Sequence, residues 1–73
     1  MRHNMTAIVE REGDGYVAVC PEVDVASQGR SVSEARDNLA EAVTLFFASA
    51  SPDEIDARLR GEIYVTQIDV VIG

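Results

Sequence analysis

Polar and apolar residues alternate from Met5 to Glu12, with β-branched residues among them. Alternation of period two predicts a strand with one face turned toward a core. Gly13-Asp14-Gly15 follows, and glycines around an aspartate supply the left-handed backbone of a tight hairpin turn. Tyr16 to Cys20 is the returning strand, short and apolar, and Pro21 ends it because proline brings no N–H to a ladder. Between Glu22 and Gly29, Val23 and Val25 flank Asp24, which fits a third short strand or an extended loop.

The period then changes. Ser31 with Glu34 three residues later is a capping box, and Val32, Ala35, Leu39, Ala42, Val43 and Phe46 recur at steps of three and four. That stripe predicts a long helix packed on the sheet through one face, widened by Phe47 and closed by the run Ala48 to Ser51. Ser51-Pro52 with Asp53 and Glu54 marks a second helix start, with serine as the cap, proline at the first position and acids at the positive end of the dipole. Ile55 and Leu59 give this short helix a small apolar face, and Gly61 ends it. From Glu62 to Ile72 the alternation returns, with Tyr64, Thr66, Ile68, Val70 and Ile72 on one side and Ile63, Val65 and Val71 on the other. A long last strand, apolar on parts of both faces, needs cover on both. At a chain end it is also a candidate edge for pairing with a second copy, which places the expected oligomer interface at Ile63, Val65 and Val71. The expected order is β-β-β-α-α-β: an α+β domain with an antiparallel three-stranded sheet, a long helix, a short helix and a final strand.

Length and composition narrow this further. The 73 residues hold one domain, 1–73. A chain of that size buries only about 60% of its unfolded surface, so association as a homodimer or higher homo-oligomer is expected to add stability. With 47% hydrophobic residues the chain is too apolar for a disordered tail. No stretch is apolar enough to cross a membrane and no signal-peptide pattern opens the chain, so no membrane contact and a cytoplasmic location are expected. A single cysteine forms no internal disulfide.

Charge changes the picture more. Thirteen acids face six basic residues, all arginine, for a net charge of -7. Phosphate backbones are repelled by such a surface, so direct RNA binding is not expected. A basic protein partner is, because complementary potentials speed encounter and reject wrong partners; charge kept for solubility is the plainer reading of the same number. His3, the only histidine, stands near the terminus and reads as a surface residue. Cys20 has no neighbouring histidine to activate it and reads as a small core residue. Asp14, Glu22 and Asp24 are the acids that a magnesium-dependent ribonuclease would use. They fall in a turn and after a strand end, where acids commonly serve conformation and solvation. No catalytic residue, metal or cofactor is therefore expected, and the ribonuclease is the lesser alternative. The same three acids suit contact with a partner's basic surface through charge-assisted hydrogen bonds, or form only a solvated face.

Several of these segments combine into a larger pattern. Ala7-Ile8-Val9-Glu10, a glycine turn, Gly15-Tyr16-Val17-Ala18, Cys20-Pro21-Glu22-Val23 and Gly29 precede the capped helix that runs from Ser31 through Asn38-Leu39 to Glu41-Ala42. Over most of its length the chain resembles the HicB antitoxin family. The resemblance implies a partial RNase H-like fold without the nuclease's metal-binding acids, self-association, and masking of a small basic RNA-cleaving toxin, HicA-like. Family members often add a DNA-binding segment after this core, and the chain stops where that would begin, which puts DNA binding in doubt. A solitary homo-oligomeric domain without a toxin partner is the alternative that the resemblance leaves open.

Overall fold

The computed structural model describes residues 3–73. Three strands come first: β1 (Ile8–Glu12), β2 (Gly15–Cys20) and β3 (Val25–Gly29), joined in the order β1-β2-β3 as an antiparallel sheet. Two helices follow, α1 (Val32–Ser49) and α2 (Pro52–Arg60). The class is α+β, with the expected order of these five elements.

The β1–β2 hairpin turns through Gly13 and Asp14, since Glu12 pairs with Gly15. Only Gly13 uses the left-handed region, at φ 60, which is the turn with glycine at its first central position and matches the right-handed strand twist. Directly opposed residues share a face, so the register sorts the sheet. Val9, Ala18 and Ser27 point one way, with Cys20 and Val25; Ile8, Val19 and Ala26 point the other, with Glu10, Val17 and Gln28.

Helix α1 covers the first of these faces. Ser31 accepts a hydrogen bond from the Glu34 N–H at 3.1 Å, while the Glu34 carboxylate reaches back to the Arg30 N–H at 2.8 Å, one residue before the cap. Ala35, Leu39 and Val43 face inward and, with Ala18, Cys20 and Val23, make up the buried core. Small residues allow a close approach: a Cβ on Gly29 would stand 2.5 Å from the Ala35 nitrogen. Val32, expected in the buried stripe, is half exposed at the helix's first residue. The helix lies over β3 and β2 and touches β1 only marginally. Asn38 fastens it to β3 by donating to the Gln28 carbonyl at 2.8 Å.

Helix α2 begins as expected, with the Glu54 N–H donating to Ser51 at 3.2 Å and Pro52 in the first turn. None of its residues is buried. Its ion pairs, the half-buried Arg58–Glu54 and the exposed Arg60–Asp56, stay open to solvent and add little stability. Arg58 stacks over the Phe46 ring, 5.9 Å from its centre, and ties the helix to α1.

The final strand expected over Glu62–Ile72 does not form. Residues 61–73 carry no secondary structure and all are exposed, Ile63, Val65 and Val71 among them at 40%, 63% and 102%. A strand needs a neighbour to take up its N–H and C=O groups, and among the described residues this segment has none. No helix among the described residues is long and apolar enough to cross a membrane.

Candidate protein-binding surface

The end of β2 is built around Glu22. Pro21 stops the strand, and the chain turns back through 21–24, the Asp24 N–H donating to the Cys20 carbonyl at 2.9 Å. Glu22 Oε2 accepts from the Thr6 N–H at 2.9 Å and the Thr6 hydroxyl at 2.6 Å; Oε1 accepts from Cys20 Sγ at 3.4 Å. The carboxylate thus clasps the segment before β1 onto the end of β2. Burial pushes its pKa up, but the hydrogen bonds it accepts, from Thr6, from its own backbone N–H and from Cys20, together outweigh that and hold it below the ordinary glutamate value.

Cys20 is fully buried. Burial, the hydrogen bond to Glu22 and that carboxylate's negative charge all raise its pKa. A thiol held protonated is a poor nucleophile, and the residue packs in the core, as its lack of a histidine neighbour suggested. Val23, whose place beside Asp24 suggested a third strand, is instead a turn residue with 2% exposure, directed into the core.

Asp24 takes a left-handed conformation, φ 58, which aspartate tolerates better than most residues. It is exposed, as is Asp14 in the hairpin turn. These two do not share a site: β2 separates them, five residue steps or roughly 17 Å. Asp14, Glu22 and Asp24 therefore divide into a hairpin acid, a clasp and a conformationally placed surface acid. No group of three or more His, Cys, Asp or Glu side chains among the described residues is placed to hold a metal ion.

The sheet face opposite α1 brings together residues that sequence spacing did not single out. Ile8, Val19 and Ala26 form one row, and Glu10, Val17 and Gln28 the next. Ile8 and Ala26 are exposed, Val17 and Val19 half-buried, and no helix covers them. Glu10 and Glu12 line the β1 margin of this face, and Asp14 continues the acidic run into the turn. An apolar strip with a charged rim is the usual anatomy of a protein-binding patch. Alternation in Ile8–Glu12 was visible in the sequence; the pairing that assembles the rows was not.

A concave feature lies on the α1 side of the sheet, beside the segment that leads into β1. A groove of about 650 Å³ runs between residues 3–7 and α1, floored by Met5, Leu39, Val43 and Phe47. It opens because α1 leaves the β1 margin of the core uncovered.

In comparisons with protein-family models, curated proteins and solved structures, nothing matches this chain.

Proposed function

We propose that this chain is an antitoxin-type binding domain that masks a small basic RNA-cleaving toxin by steric and electrostatic occlusion. The observation that carries the reading is the uncompensated acidic surface. The net charge is -7, no charged side chain among the described residues is buried, and both ion pairs among them lie within α2. The acids on the hairpin and on α1 are thus available to a cationic partner. The HicB-like motifs point the same way, and the arrangement of β1 to α2 is compatible with a HicB-type core.

On this reading the open sheet face contacts the toxin. Ile8, Val17 and Val19 supply apolar contact, and Glu10, Glu12 and Asp14 pair with the bases that would otherwise hold RNA. Asp24 contributes at the far end of β2, and Glu22 acts indirectly by holding that end in shape. The inhibition needs no chemistry from this chain, only coverage of the toxin's active site.

The test is RNA cleavage by a small basic protein encoded beside this chain's gene, titrated with the purified domain. Stoichiometric silencing by the wild type, weakened at least about tenfold by Glu10→Lys with Glu12→Lys, supports the reading. Undiminished cleavage at a molar excess of the domain overturns it. A solitary homo-oligomeric domain is the second reading, and the exposed apolar C-terminal segment favours it.

A further inference from the structure

The chain carries a strand without a sheet and a sheet edge without a strand. Residues 62–72 alternate like a strand, and Tyr64, Ile68, Val70 and Ile72 on one side are 78%, 80%, 68% and 91% exposed. On the same chain, the outer edge of β1 has no strand beside it among the described residues, and the groove floored by Met5, Leu39, Val43 and Phe47 lies along residues 3–7, the segment that leads into β1. The opposite edge is less open, because Asn38 of α1 already takes the Gln28 carbonyl of β3.

We propose that two copies exchange these arms, residues 62–72 of each adding as a fourth strand along β1 of the other. The arm's eleven residues outrun the five of β1, and where the arm continues past residues 3–7 its even-numbered face lies in the partner's groove. The odd-numbered face, with Ile63, Val65 and Val71, extends the open face of the partner's sheet beyond Ile8.

Size favours a second copy as the occupant. The chain exposes 6071 Å², whereas a compact monomer of 7.9 kDa exposes about 4,400 Å². The surplus, roughly 1,700 Å² per copy, is enough for a stable interface, which buries about 1,200–2,000 Å² in total. The radius of gyration, 14.3 Å, likewise exceeds the about 11 Å of a compact chain this long.

The joint is short and extended. Ala50 and Ser51, at ψ 151 and 158, separate α1 from α2, and α2 carries the arm away from its own core with none of its residues buried. Arm exchange between identical chains is an economical route to a dimer, since each contact is made twice. The face of the arm that meets the groove is largely apolar: of the arm's two acids, Glu62 stands at the start of the even-numbered face and Asp69 lies on the odd-numbered one.

The exchange is independent of the toxin-masking reading, because the chain purified alone suffices to test it. Light scattering of the full chain is combined with amide hydrogen exchange, for the wild type and for Ile68→Asp with Val70→Asp. Both positions are exposed within a single copy, so the substitutions leave its fold intact. The expected wild type is a dimer in which arm amides and the β1 amides facing away from β2 are both protected. The variant is expected to dissociate at least about 100-fold more readily and to lose both sets of protection with an unchanged far-UV spectrum. A monomeric wild type overturns the proposal, whether its arm is protected or not. So does a dimer whose β1 edge remains unprotected, or one that the double substitution leaves equally tight.

Discussion

Glu22 is the residue whose role depends most on folding. Its carboxylate takes two hydrogen bonds from Thr6 and one from Cys20, and its pKa lies below the ordinary glutamate value. A depressed folded-state pKa contributes stability that is present above the unfolded value, about 4.3, and is lost as pH falls through the folded one. Thr6→Val is therefore expected to destabilise by about 1 kcal/mol at neutral pH, with the gap from wild type closing in acid; denaturant melts at a series of pH values check this. Gly29 is constrained by contact, and Gly29→Ala is expected to cost about 1–3 kcal/mol, because its Cβ would press on the Ala35 backbone. Asp24→Asn keeps a residue suited to φ 58 while removing a charge, so it should melt like wild type yet bind a basic partner less tightly. The acids could be read from the sequence, but the clasp could not. Thr6 and Glu22 are 16 positions apart, and only the β1–β2 register and the turn after Pro21 bring them together.

At the scale of elements, local chemistry carried most of the information. The glycine turn, Pro21, the Ser31 and Ser51 caps and the Pro52 start each act within a few residues, and each marks a boundary in the structure. Ser31→Ala tests the first cap directly: the Glu34 N–H loses its acceptor, and a loss of about 1 kcal/mol is expected in thermal or denaturant melts. The segments that departed from expectation depend on distant partners. Val23 alternates with Val25 as strand residues do, but the turn held by the Asp24 N–H directs it into the core. Glu62–Ile72 has a strand's pattern but no strand structure, since alternation specifies what a segment suits and says nothing of whether a neighbour is within reach. The exchange of arms proposed above supplies that neighbour from a second copy.

The whole molecule combines a small core with a strongly acidic exterior, and the two kinds of association it suggests respond oppositely to salt. Masking a basic toxin draws on opposite charges, so that affinity is expected to fall as salt rises. Arm exchange joins two chains of charge -7 through apolar contact, so screening should leave the dimer as tight or tighter. Titrations across salt concentrations separate the two. Net charge was legible from composition alone, whereas the open sheet face was not, because it follows from α1 covering one side of the sheet and leaving the other bare. The central claim, that this acidic domain silences a basic ribonuclease, is tested most directly by purifying the tagged protein from its own cells and assaying the complex for RNA cleavage. The account predicts a small basic companion, inactive while bound and active once separated. Recovery of the domain with itself alone, or with a companion that cleaves RNA equally well bound and free, would contradict it.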